Sequence, residues 1–159
     1  MHVPLIEQVK IQAQVLVPLV RALQAELGPE RANAIVRNAL GELYRAYGER
    51  WWRAQQAADL GEKMDAAFEW FAESGALDYE AVRRAPDAYD VNVTRCRYAE
   101  FFEKMGAREL GFLLVCSGDL AMAEGFGGGV SLARTQTIMQ GAAHCDFRYR
   151  RKAPAPKPE

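Results

Sequence analysis

The hydrophobic period of the chain changes near Gly75, and that change restricts the fold more than any other feature. From Leu5 to Leu27 the apolar residues Leu5, Ile6, Val9, Leu16, Leu19, Val20, Leu23 and Leu27 recur at helical spacing. Pro18 interrupts the run, so a kink or two shorter helices are expected there. Gly28-Pro29 separates this segment from a second helix, about Glu30 to Ala54, because glycine suits the position after a helix and proline the start of the next. Ala34, Ile35, Ala39, Leu40, Leu43, Tyr44, Tyr47 and Trp51 give that helix one broad apolar stripe. A third helix is expected from about Leu60 to Glu73, with Met64, Phe68 and Phe71 inward and Ser74-Gly75 as its end.

Beyond Gly75 the period falls to two. Leu77, Tyr79 and Val82 make one strand-like run, Pro86-Asp87 a turn, and Tyr89, Val91 and Val93 then alternate with Asp90, Asn92 and Thr94. Short helices are expected over Arg97–Met105 and Arg108–Cys116. The GFGGG run from Gly125 to Gly129 reads as a loop. Val130 to Met139 reads as a strand, with Cys145–Arg150 as its antiparallel partner after a Gln140-Gly141 turn. Two periods in two halves predict an α+β fold, with N-terminal helices packed on one face of an antiparallel sheet of about four strands. With 159 residues, half of them apolar, the chain has the material for one domain over residues 1–151. The Pro-rich, charged KAPAPKPE stretch from Lys152 to Glu159 is expected to be a disordered tail.

Charge and cysteine content narrow the function classes. Twenty basic side chains nearly cancel 21 acidic ones, and a net charge of -1 gives no electrostatic reason to expect a nucleic-acid or membrane partner. No window approaches 18 uninterrupted apolar residues, so no transmembrane helix is expected. The opening MHVPLIEQVK lacks a signal-peptide layout, because Glu7, Gln8 and Lys10 break its first apolar run. Three cysteines, an odd number, are then expected to be free thiols in a reducing cytoplasm.

Reactive residue types gather in three places: Thr94-Arg95-Cys96-Arg97-Tyr98, Cys116-Ser117-Gly118-Asp119, and His144-Cys145-Asp146-Phe147-Arg148. Each falls at the end of an expected element, where a side chain can be aimed into a cavity while its backbone stays anchored. The plainer reading is packing: a free cysteine often behaves as a small hydrophobe, and Asp119 can simply cap a turn. Against it stands the co-occurrence of Cys, His and Asp, the types that activate a thiolate. The glycine run lacks the Lys-Ser or Lys-Thr of a phosphate loop and does not open a helix after a strand. No G-x-S-x-G elbow and no Cys-x-x-Cys or His-x-x-x-His pair occurs, although a metal held by Cys96, Asp119, His144 or Cys145 stays open.

The segments VTRCRYAEFFEKMGARELGFLLVCSGD and SLARTQTIMQGAAHCDFRYR resemble the L-2-amino-thiazoline-4-carboxylic acid hydrolase family. The Cys-x-Tyr start, the Leu-Gly helix leading to Cys and Asp, the Arg-Thr-x-Thr strand and the Gly-x-x-His-Cys-Asp-Phe-Arg end match in order, over roughly Asp78 to Arg150. The GFGGG run departs from the family, whose members commonly have a shorter, Pro-containing connection there. More distantly, the strand ending in Cys-x-Phe resembles small-molecule-binding domains of the vinyl-4-reductase type, which are α+β domains with helices packed on one antiparallel sheet. The family resemblance implies hydrolytic opening of a small cyclic amidine, amide or isothiourea-like C–N substrate. It puts Cys96, Asp119, His144 and Cys145 forward as catalytic candidates, and Tyr98, Arg134, Thr135 and Arg148 as substrate-binding ones.

Chemistry gives these residues roles. A thiolate with a histidine and a carboxylate supplies both a nucleophile and a proton donor for an amidine-like carbon. Cys96 is favoured because it opens a helix, whose terminal N–H groups stabilise a thiolate; Cys145 is its rival, and Cys116, at a helix C-terminus, comes last. His144 would carry the proton, with Asp119 or Asp146 orienting it. Arg134 or Arg148 would hold a substrate carboxylate. No cofactor is expected, a divalent metal being the alternative. The expected partner is a small molecule, with homo-oligomerisation possible. The competing function is a non-catalytic small-molecule-binding or sensing domain on the same scaffold.

Overall fold

The computed structural model describes residues 3–56, 59–127 and 129–152. Helix α1 (Leu5–Leu27) and helix α2 (Pro29–Ala54) form an antiparallel pair joined at Gly28, whose φ of 80° is a conformation open to glycine. Helix α3 (Leu60–Glu73) starts on Asp59, whose carboxylate accepts from the Glu62 N–H at 2.8 Å. Strands β1 (Leu77–Ala85) and β2 (Ala88–Cys96) follow as a hairpin, with register shifts at Asp78/Tyr79 and Ala81/Arg83. Next come α4 (Arg97–Lys104), α5 (Arg108–Gly111) continued by a π-helical turn (Phe112–Cys116), and α6 (Gly118–Gly125). Strand β3 (Val130–Ala133), a 3-10 turn (Ile138–Gln140) and strand β4 (Cys145–Arg151) complete the fold. The four strands form one antiparallel sheet in the order β1-β2-β4-β3.

Alternation along β2 and β4 decides what the helices cover. Tyr89 pairs with Tyr149, Val91 with Phe147 and Val93 with Cys145, and all six are buried on the helix-facing side. Phe68 of α3 stands over this face, with ring centroids 5.6–6.4 Å from Tyr79, Phe147, Tyr89 and Tyr149. Burial of one aromatic of this size contributes about 1.5–3 kcal/mol. The intervening residues point the other way, where Asp90 pairs with Arg150 and the Arg148 guanidinium donates to Asn92 Oδ1 at 2.8 Å.

Helices α2 and α6 approach closely through glycine. A Cβ on Gly48 would lie 2.1 Å from the Met122 carbonyl oxygen, and one on Gly125 would lie 2.1 Å from that of Arg45. One on Gly118 would enter the Tyr44 ring. The two backbones therefore touch, and Trp51 and Trp52 close over Phe126 with centroids 5.3 Å away.

The α+β architecture, the three N-terminal helices and the four antiparallel strands match the expectations from sequence, and four local features differ. Helix α1 continues through Pro18 as one element. Residues 118–125 form a helix, so Gly125 belongs to α6 rather than to a glycine loop; its lack of a side chain admits the α2 backbone. Strand β3 ends at Ala133 rather than Met139, because the Asp146 carboxylate takes the Thr135 and Gln136 N–H groups at 2.9 and 2.8 Å and draws the chain out of the ladder. The broad stripe on α2 is wider than its packed face: Ile35, Leu43 and Tyr47 are exposed. The tail beyond Lys152 lies outside the described residues.

Candidate functional site

The inner ends of β2, β4, α4, α6 and the π-helical turn surround a buried polar cluster. Cys96, the last residue of β2, caps α4 and its sulfur accepts from the Ala99 N–H at 3.4 Å. Cys145 begins β4 and its sulfur accepts from the Ile138 N–H at 3.2 Å. Cys116 ends the π-helical turn, and its carbonyl accepts from Arg134 Nη1 at 2.9 Å. The same guanidinium forms an ion pair with Asp119 in the first turn of α6. Only 6% of the Arg134 side chain is exposed, against 33% of Asp119. Arg134 also lies over the rings of Phe147 and Phe112, 5.6 and 5.8 Å from their centroids.

Charge placement ties the members together. Burial pushes the Asp119 carboxyl up to about 6, against the downward pull of Arg134. Burial likewise pushes the Cys96 thiol up to about 11; the Ala99 N–H opposes this, and nearby Cys145 and Asp119 add to it. Cys116 is raised by burial and then by Asp119 and Cys96, with Arg134 opposing. Cys145 is raised by burial, with the Ile138 N–H and Arg134 opposing. The Tyr44 phenol rises to about 12 through burial and the neighbouring Asp119, and those of Tyr98 and Tyr149 rise too, again led by burial. The three thiols, Asp119, Arg134 and the three phenols therefore share one low-dielectric region. The thiols in it are protonated at neutral pH.

Of the residues singled out from the sequence, Cys96, Cys145, Asp119, Arg134 and Tyr98 lie in this cluster. Thr135 stands beside it and donates its hydroxyl to Asp146 at 2.5 Å. Hydrogen bonds from Thr135 and Gln136 hold the Asp146 carboxyl below its ordinary range despite the opposing effect of burial. Asp146 thus anchors the chain after β3. Arg148 lies on the other face of the sheet, with Asn92 and the Val91 carbonyl. His144 accepts from Gln136 Nε2 through its carbonyl at 2.9 Å, and its imidazole makes no hydrogen bond among the described residues. Sequence reasoning missed Phe112 and Tyr149, and read Tyr44 first as part of the apolar stripe of α2. Alternation with Cys145 and Phe147 was a signal for Tyr149; helical spacing alone did not separate Tyr44 from core material.

An open depression of about 510 Å³ borders the cluster, lined by Arg108, Glu109, Phe112, Met139, Gln140 and Gly141. Phe112 lines it and also packs on Arg134, so one ring joins the depression to the arginine of the ion pair. Among the described residues, no three His, Cys, Asp or Glu side chains are grouped to hold a metal ion. Nor is any helix there long and apolar enough to cross a membrane.

This is an α+β domain whose helices and sheet close over one acid–base pair and several thiols. The chain belongs to the L-2-amino-thiazoline-4-carboxylic acid hydrolase family, whose sequence profile matches residues 8–149. Comparison with curated proteins finds no match. Among solved structures, the chain is similar to the phenol-responsive sensory domain of the transcription activator PoxR, determined with phenol. The TM-score is 0.55 at 11% identity, over 86% of this chain and 73% of the other. At that identity the likeness is one of fold.

Proposed function

We propose that this chain hydrolyses a small cyclic carbon–nitrogen substrate of the amidine or isothiourea kind, with Asp119 and Cys96 as its working groups. The observation that carries this reading is the Asp119–Arg134 pair beside three thiols, its arginine buried and its carboxylate one-third exposed, with the Asp119 carboxyl raised to about 6. A carboxyl titrating there exchanges a proton readily near neutral pH. The Cys96 thiol rests protonated, and a cationic amidinium arriving beside it would lower its pKa. Asp119 then takes the thiol proton while the sulfur bonds to the ring carbon. In an amidine the ring C–N bond then breaks and the departing nitrogen takes that proton from Asp119; in an isothiourea the ring C–S bond breaks and the departing sulfur takes it. Water next attacks the carbon held on sulfur; Asp119 takes a proton from it, the C–S bond breaks, and the proton returns to the thiolate. Arg134 keeps the carboxylate oriented throughout. The imidazole of His144 has no part in this route.

A second reading, a non-catalytic ligand-binding domain, draws support from the raised thiols and from the fold shared with a sensory domain. Incubation with L-2-amino-thiazoline-4-carboxylate and related cyclic amidines separates the two, with the open-chain product followed by mass spectrometry. The hydrolase reading expects turnover that is lost in Cys96→Ser and Asp119→Asn and kept in His144→Ala. Saturable binding of the amidines or of phenols without any product would support the binding domain and end the hydrolase reading.

A further inference from the structure

Exposed large apolar side chains are unevenly distributed over this molecule. Ile11, Val15, Leu19 and Leu27 on α1 and Ile35, Leu43 and Tyr47 on α2 are exposed; Val3, Trp70, Val82 and Leu120 are scattered elsewhere among the described residues. Ile11, Val15 and Leu19 recur every fourth residue and are 59%, 66% and 52% exposed, so they make one stripe along α1. The opposite side of that helix, with Ile6, Ala13, Val17 and Val20, already packs inward. Between Lys10 and Arg21 no residue of α1 is charged. Gln24 Nε2 donates to Asn33 Oδ1 at 2.8 Å, which sets the α1/α2 register. Counting along the two helices from that pair, Leu19 stands level with Asn38, and Ile11 with Ala46, next to the exposed Tyr47.

We propose that the outward faces of α1 and α2 form a two-fold interface with a second copy of this chain, giving a four-helix layer. A two-fold axis at Val15 would place Ile11 against Leu19 of the partner subunit and Val15 against Val15 of the partner subunit. The stripe is symmetric about Val15, as a self-complementary patch must be. Its lack of charge avoids the like-charge contacts that a two-fold axis would otherwise create, and matches the charge-depleted centre of known interfaces. Ile11, Val15, Leu19, Ile35, Leu43 and Tyr47 present on the order of 500 Å² of apolar surface, against about 800 Å² per partner in a standard interface. The polar residues at their edges supply the remainder. A membrane surface fits less well, because helices that lie on membranes carry Lys and Arg along the polar face, and the stretch from Ile11 to Val20 has none.

Light scattering on the intact chain at micromolar concentration should give twice the monomer's 17.8 kDa. Val15→Glu should return it to the monomer mass with an unchanged circular dichroism spectrum, while Val82→Glu should leave the dimer intact. Val15→Cys gives a test that does not depend on a disruptive variant. Cys96, Cys116 and Cys145 are all buried, so mild oxidation should cross-link Val15→Cys chains in pairs and leave Leu120→Cys chains uncross-linked. A monomer at every concentration, equal cross-linking of the two cysteine variants, or vesicle binding by a monomer that Val15→Glu abolishes would overturn the proposal.

Discussion

At Asp119 two forces oppose each other: burial favours the neutral acid, and Arg134 favours the carboxylate. Burial prevails, and the group titrates near 6 in the fold rather than near the ordinary carboxyl value of about 4. A carboxyl raised by folding stabilises the fold fully below its unfolded pKa, and that contribution is lost as the pH rises through about 6. Denaturant titrations from pH 4 to 7 should therefore show the wild type losing stability relative to Asp119→Asn across this window. In the hydrolase reading kcat/KM should rise through pH 6 as Asp119 ionises, and Asp119→Asn should abolish the rise and lower kcat/KM by about 10²–10⁴. The thiols carry a second expectation. With all three buried and raised, iodoacetamide at pH 7 should label the folded chain slowly and the denatured chain rapidly, as counted by intact mass. Cys96, Cys145 and Asp119 stood out in the sequence because reactive types cluster at element ends, and Arg134 because it falls on the family's Arg-Thr-x-Thr motif. The placement of His144 did not, since an imidazole's role depends on which face of the chain it meets, and one residue's shift reverses that face.

Among the elements, α2 and α6 depend most on small residues. A methyl group at Gly48 would meet the Met122 carbonyl at 2.1 Å, so two helix backbones would have to separate. Gly48→Ala should destabilise the fold by about 1–3 kcal/mol, measured by urea unfolding, although alanine is the better helix former. Gly41→Ala, where the nearest atom would be 3.9 Å away, should not. The long helices and β2 were legible because their periods persist over many residues. Helix α6 was not: it has eight residues, glycines at both ends, and takes its stability from contact with α2. The premature end of β3 escaped for a related reason. Asp146 is only eleven residues from Thr135, but nothing in the local pattern shows that its carboxylate captures two backbone N–H groups there.

For the molecule as a whole, the helices and sheet share one continuous apolar cluster, from Ile6 and Val17 of α1 through Phe68 to Phe147 and Tyr149. We expect residues 3–152 to unfold as one domain, with coincident far- and near-ultraviolet circular dichroism transitions. Two separated transitions would mean that the α1/α2 pair folds apart from the sheet. The change of period near Gly75 was enough to predict the layers, because each period leaves one apolar face to cover. It was silent on which apolar residues stay outside, and the broad α2 stripe shows why: a helix can be apolar over more of its circumference than the core accepts.

The π-helical turn from Phe112 to Cys116 sets the phase of everything after it. Its signature is the Ser117 N–H donating to the Phe112 carbonyl, five residues back, at 2.8 Å. Such a turn holds one residue more than an α-helical turn over the same length. Each residue of an α-helix advances by about 100°. If that extra residue were removed, the backbone from Ser117 onward would rotate by about that amount, and Asp119 would swing away from Arg134. The ion pair at the centre of this protein is thus held together by a single-residue insertion in the helix before it. Deleting Val115 from that turn would disconnect the site while leaving every one of its side chains in the sequence.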